Sequence, residues 1–267
     1  MTKSPLIRVE RAEEGPALQI TLASDRTRNA LSIEMFAALE DAMTAAERTV
    51  REGRAIAVVL RAEGRAFCSG FDLGQSVADS ATLVGFVTRL SALARRLREI
   101  DAIVVASVQG PALAGGCALV AACDVVIASQ AASFGYPVHR IGVSPAVTLP
   151  TLLATAGVGG ARQLALSGEI VDAVRAQALG IVHRVVADEA ALRHAETSTL
   201  DTLASRGPHA LRETKRWLNR VDGTARDGVL GSRTEEATTA TANLCEGGEA
   251  REMLRTVWSA RQRGLSA

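Results

Sequence analysis

At 267 residues, with 48% hydrophobic side chains and a net charge of +1, the chain is long enough to bury a sizeable core as one large domain or a domain with an appendage. The near-zero charge, with no Lys/Arg cluster interleaved with aromatics, argues against nucleic acid as a partner. No uninterrupted apolar segment reaches bilayer-spanning length, so no membrane partner is expected. The first residues, Met1-Thr2-Lys3-Ser4-Pro5, carry neither an apolar h-region nor a small-residue cleavage site, and a cytoplasmic location is expected. With two Trp, one Tyr and five Phe, the core must be built mainly from Ala, Val, Leu and Ile. Cys68, Cys117, Cys123 and Cys245 match no zinc or redox spacing and read as small buried hydrophobes. The four His are scattered, so no metal site is expected.

Leu18-Gln19-Ile20-Thr21-Leu22 alternates as a half-buried strand should. A polar turn through Arg28-Asn29 leads to a helix capped by Ser32, with Ile33, Phe36, Leu39 and Met43 largely on one face. The continuous apolar run Ala55-Ile56-Ala57-Val58-Val59-Leu60 suits a strand covered on both sides. It leads to a glycine junction, Arg65-Ala66-Phe67-Cys68-Ser69-Gly70-Phe71-Asp72-Leu73, and then to a predicted helix over 81–100. Ile103 to Val108 is a third apolar strand, and Asp124 to Ala128 a fourth, followed by Ser133-Phe134-Gly135-Tyr136-Pro137. Residues 158–182 read as helix, turn, helix, with Ala161 to Leu166 and Ala173 to Leu179 as the helical parts. Strands alternating with helices predict an α/β fold with largely parallel pairing. A composition shift near residue 200 predicts a helical C-terminal region, 201–267, on a core of 1–200.

The stretch Gly110-Pro111-Ala112-Leu113-Ala114-Gly115-Gly116 joins the third strand to an apolar helix. The first N–H groups of a helix have no partner inside it and lie at the positive end of its dipole. Glycines there let a ligand approach the backbone closely. Two such junctions, one over 65–73 and one over 110–116, predict a site for developing negative charge built from main chain. The same pattern also fits a tight strand-to-helix connection with no ligand.

These blocks, together with Arg28-Asn29-Ala30-Leu31, Cys123-Asp124, Phe134-Gly135, Leu166-Ser167-Gly168-Glu169 and the segment 176–186, resemble the crotonase (enoyl-CoA hydratase/isomerase) superfamily in one order along the chain. The resemblance implies a crotonase/ClpP-like spiral of repeated ββα units. It also implies a helical C-terminal trimerisation region that completes part of an acyl-CoA pocket, in a homotrimer or dimer of trimers. It implies an acyl-CoA substrate, with coenzyme A as part of that substrate and no separately bound cofactor. The backbone N–H groups of Phe71 and Gly115 would then be the oxyanion hole. Arg28, Ala30, Ala66, Asp72, Leu73 and Gly116 would lie along the CoA and pantetheine, although Asp72 also suits a helix cap.

The family's hydratases hold a water between two glutamates, because hydration needs one proton removed and another delivered. Aligned on the blocks above, those positions hold Ala118 and Val138, and the acid some family isomerases carry after the next proline is Ala146. His139, one residue beyond Val138, and Tyr136, the only tyrosine, are the candidate replacements; Ser69, Ser144 and Cys117 have no visible base partner. Three readings follow from the sequence. The first is a crotonase-family enzyme working through an enolate, by hydration or isomerisation or by altered chemistry such as decarboxylation. The second is a non-catalytic acyl-CoA-binding protein. The third is a peptidase of the related spiral fold, disfavoured because positions 115–119 hold no serine.

Overall fold

The computed structural model describes residues 5–11, 15–77 and 79–263. Its strands are β1 (Ile7–Arg11), β2 (Ala17–Leu22), β3 (Ala57–Ala62), β4 (Ile103–Val108), β5 (Ala112–Leu113), β6 (Val125–Ser129), β7 (Ser133–Gly135), β8 (Ile170–Asp172) and β9 (Arg184–Val186). The helices are α1 (Ile33–Arg51), α2 (Leu73–Ser76), α3 (Ser80–Glu99), α4 (Gly115–Ala121), α5 (Leu149–Ser167), α6 (Ala173–Ala178), α7 (Glu189–Ala204), α8 (Pro208–Val221), α9 (Val229–Ser232), α10 (Thr234–Cys245) and α11 (Gly248–Gln262). A main sheet runs β1-β2-β3-β4-β6-β9, with β1 antiparallel to β2 and the remaining pairs parallel. A small sheet, β5-β7-β8, stands beside it. This is the α/β arrangement that the alternating pattern predicts.

The apolar run in β3 is explained by packing on both faces. Val58 and Leu60 enter the larger core with α1, α3 and α4, whereas Ala57 and Val59 face a second cluster containing Leu192, Ala195 and Leu200 of α7. In β2, Leu18, Ile20 and Leu22 enter the larger core as the alternation predicts. The polar partners, however, are not in open water. Arg61 donates to Gln19 Oε1 at 2.6 Å and to Thr21 Oγ1 at 3.1 Å, and its guanidinium lies 3.6 Å from the buried Glu196 of α7.

Two expectations shift, and three strands are absent from the sequence pattern. The 55–60 run becomes strand only from Ala57, because Ile56 N–H bonds to Pro16 O before the ladder begins. The helix expected from Ala161 already starts at Leu149, with Pro150 in its first turn; Gly157, at φ 64° and ψ 174°, breaks the helical path and hides the earlier half's periodicity. The edge strand β1 and the three-residue strands β8 and β9 are too short or too polar to stand out.

After β9 the described chain is entirely helical. Its anchor to the core is Lys215 of α8, only 4% exposed, whose ammonium donates to Leu97 O and Ala102 O and meets Asp124 Oδ2 at 2.7 Å. Asp124 Oδ2 in turn accepts from Val104 N–H at 2.8 Å, so a single carboxylate ties α8 to β4 at the entry to β6. Removing one member of a buried pair strands the other charge. Lys215→Met is expected to destabilise the fold by about 3 kcal/mol or more, read as a lower urea midpoint with an unchanged slope.

Candidate active site

The first junction follows β3. Asn29, buried and left-handed at φ 53°, holds it: its amide donates to Glu63 O and Ala66 O, both at 2.9 Å, while its Oδ1 accepts from Ser24 N–H at 2.7 Å. Asparagine tolerates this backbone region better than most residues. Leu31 then pairs with the junction, donating to Gly70 O at 2.8 Å and accepting from Asp72 N–H at 3.1 Å. Such a parallel bridge uses the groups on either side of Phe71, so the N–H of Phe71 points away from Leu31.

The second junction leaves β5. Leu113 N–H donates to Cys68 O and Ala114 N–H to Gly135 O, and Ala118 N–H closes the first turn of α4 on Ala114 O. Between them, Gly115 N–H has no hydrogen-bond partner among the described residues, and neither has Phe71 N–H. The junctions touch. A Cβ on Gly70 would lie 3.6 Å from Gly115 N, and one on Gly116 would lie 2.4 Å from Cys68 O, a separation only glycine permits. With α4 just seven residues long, the two N–H groups themselves, rather than a helix dipole, supply any attraction for an anion.

Phe71 is also held from its side chain. Its ring lies 5.4 Å from that of Phe86 and 6.2 Å from that of Phe36, and Phe36 and Phe86 are themselves 5.4 Å apart. Arg89 sits over Phe36 at 5.2 Å while binding both oxygens of Glu40 at 2.7 Å, which holds the carboxyl of Glu40 below its ordinary pKa. Three of the five phenylalanines thus fix one backbone N–H.

Both junctions open on a cavity of about 450 Å³. Of the residues expected to contact substrate, Arg28, Ala30, Phe71, Asp72 and Leu73 line it. Ala66 and Gly116 do not: Ala66 is buried under the Asn29 turn, and Gly116 is spent on the close approach to Cys68. Asp72 caps α2, its Oδ1 accepting from Gly74 N–H at 2.9 Å, while also facing the cavity. Deeper in, a narrow chamber of about 30 Å³ shares Phe71, Ala114 and Val138 with the outer cavity and adds Gly115 and Tyr136.

Val138 therefore stands in the wall of both spaces, while Ala118 is buried within α4, three residues after Gly115. Ala146 opens the turn that leads into α5 and lines neither space. His139 is exposed and lines neither space; its Nδ1 faces the backbone at Gly168. A one-residue step beyond Val138 has turned the ring outward. Tyr136 faces inward, 1% exposed, and burial pushes its hydroxyl's pKa well above the ordinary value. Burial likewise pushes the Cys117 thiol up to about 11 and the Cys68 and Cys123 thiols up to about 12, which makes them packing groups rather than nucleophiles. Sequence reasoning missed Trp258 and Arg261, which reach the outer cavity from α11; the Trp258 ring packs on Gly74 of α2. Their one sequence signal was an aromatic and a cation three residues apart, on one face of a late helix.

Fold and cavity together define an α/β protein that presents two unpaired backbone donors to a ligand space. The family model for enoyl-CoA hydratase/isomerase matches residues 13–258. A Thermus thermophilus protein named as an enoyl-CoA hydratase is 34% identical over 217 residues, covering 79% of this chain and 83% of its own. The crystal structure of an enoyl-CoA hydratase/isomerase from Xanthobacter autotrophicus superimposes with a TM-score of 0.82 at 28% identity, covering 98% of this chain and 99% of its own. That of an enoyl-CoA hydratase from Mycobacterium avium gives 0.82 and 28%, covering 99% and 98%. The chain belongs to the enoyl-CoA hydratase/isomerase family, within the crotonase superfamily, and is an enzyme of that family.

One residue at the second junction is strained. Ala114 sits at φ 49° and ψ −115°, a region that costs a residue with a Cβ about 1–3 kcal/mol. Ala114→Gly is expected to raise stability by about 1 kcal/mol, checked by the denaturant midpoint.

Proposed function

We propose that the chain binds an acyl-CoA thioester through the outer cavity, sets the thioester oxygen between the N–H groups of Phe71 and Gly115, and works through the enolate so formed. The observation that carries this reading is the pair of partnerless N–H groups at touching junctions beside a cavity. Preorganised donors aimed at developing negative charge are worth about 3–4 kcal/mol each. Arg28 and Arg261 in the cavity wall suit the phosphates of CoA, and the half-buried Trp258 offers a face for its adenine. Trimeric assembly fits the apolar surface of α8, where Trp217, Leu218 and Val221 are 59%, 60% and 81% exposed.

Hydration has weaker support than other enolate chemistry. Among the described residues Asp72 is the only carboxylate lining the outer cavity, and its side chain caps α2; the inner chamber has none. With Ala118 and Val138 at the two positions where the family's hydratases carry glutamates, the proton must be carried by substrate or solvent. Decarboxylation would place an ionised carboxylate in a chamber wall with no cation, which is costly. A neutral acyl group fits better.

Calorimetry with a panel of CoA thioesters, followed by mass spectrometry for turnover, tests this reading. Binding with conversion supports it, and binding without conversion leaves an acyl-CoA-binding protein. Crotonyl-CoA hydration at a rate typical of hydratases overturns the altered chemistry. A Cβ on Gly115 would meet Leu31 Cδ1 at 2.8 Å and the Phe71 ring at 3.4 Å, so the methyl would crowd the side chains packed beside both donors. Gly115→Ala is therefore expected to cut turnover about 100-fold with a small change in thioester affinity. Arg28→Ala is expected to weaken binding about tenfold and leave turnover of bound substrate unchanged.

A further inference from the structure

The inner chamber is apolar on most sides, with Val87, Leu90, Val143 and Val147 in its wall, and among the described residues no charged side chain lines it. Four hydroxyl-bearing residues line it, and three are already engaged. Thr148 donates to Pro145 O at 2.9 Å; Thr241 donates to Ala237 O at 2.9 Å and accepts from Val147 N–H; Ser144 accepts from Ala146 N–H at 3.2 Å. The fourth is Tyr136, whose fully enclosed hydroxyl has no hydrogen-bond partner among the described residues. The Cys117 thiol and Thr148 hydroxyl are near enough to interact with it electrostatically, but neither forms a hydrogen bond of normal length and angle with it. A buried hydroxyl left unbonded is destabilising, and a partner that arrives with the ligand would satisfy it.

We propose that the Tyr136 hydroxyl is a specificity-determining hydrogen-bond donor, selecting short acyl-CoA thioesters that carry a neutral oxygen acceptor, a 3-oxo or 3-hydroxy group, on the third acyl carbon. The inference rests on the acyl-CoA reading above. With the thioester oxygen at Phe71 and Gly115, the acyl carbons beyond it enter the chamber whose wall those residues share with Tyr136. About 30 Å³ is room for roughly two water-sized groups. A space of that size suits a short acyl chain, and the third carbon is the first beyond the enolising one that can carry the acceptor. The donor is neutral: burial holds the phenol protonated at any physiological pH. An ionised group would enter a wall without a counter-charge.

The test is calorimetry on the full chain with butyryl-CoA, 3-hydroxybutyryl-CoA and acetoacetyl-CoA, which share a chain length and differ at the third carbon. The wild type is expected to bind both oxygen-bearing esters about tenfold more tightly than butyryl-CoA. Tyr136→Phe is expected to lose most of that preference while its butyryl-CoA affinity changes less than about threefold. Because this substitution removes an unbonded buried hydroxyl, the variant should melt no lower than the wild type. Equal binding of the three esters by the wild type, or a preference that survives in Tyr136→Phe, overturns the inference and leaves the acyl-CoA reading standing. Failure of all three esters to bind overturns both.

Discussion

Backbone meeting backbone at a separation that no Cβ tolerates is the contact on which the site depends. Cys68 O and the start of α4 approach so closely at Gly116 that a methyl there would overlap the carbonyl. The same contact orders the rest. It brings β5 alongside the 67–71 segment, through the Cys68–Ala112 bridge, and leaves the N–H groups of Phe71 and Gly115 as neighbours with no acceptor among the described residues. Around this contact the molecule supplies stiffness from two directions. Asn29 clamps the loop from below through three hydrogen bonds, and the Phe36–Phe71–Phe86 cluster fixes it from the side. Ala114, strained at the entry to α4, shows how much conformational energy the surroundings impose on that turn.

A site made of main-chain donors has a different logic from one made of acids and bases. Its electrostatic part survives the absence of any carboxylate, because stabilising an enolate requires only oriented N–H groups and exclusion of water. Moving a proton needs an acid or base, from a side chain, the substrate or solvent. Among the described residues the cavity walls offer one carboxylate already committed as a cap and a single neutral phenol. Membership of the enoyl-CoA hydratase/isomerase family therefore does not by itself name the bond that is changed.

Much of the core was legible in the sequence, because its strands are short apolar runs punctuated by glycine. Ile103–Val108 begins and ends where the pattern predicts, and Ser32 caps α1 by accepting from Met35 N–H. The two glycine junctions were legible for the same reason, while Phe71 and Gly115 were singled out within them by the family resemblance. What the sequence hid depends on where elements dock. Nothing in the pattern of α11 says that Trp258 and Arg261 reach the cavity. Nothing in Pro137-Val138-His139 says that the middle side chain turns inward and the last outward. Ala66 and Asp72 were read as ligand contacts, yet local hydrogen bonding dominates around both: Ala66 O serves Asn29, and the Asp72 carboxylate serves Gly74. The unbonded state of the Tyr136 hydroxyl is invisible without three dimensions.

The route by which α11 reaches the cavity has a thermodynamic consequence. The wall that holds Trp258 and Arg261 exists only while the helices after β9 are docked, and Lys215 on Asp124 and Glu196 beside Arg61 are buried polar ties between those helices and the sheet. A ligand touching both that wall and the Phe71–Gly115 junctions would bind only molecules in which the two halves are joined. Its binding energy would then be shared with the docking equilibrium, so that occupancy and cohesion of the chain rise and fall together.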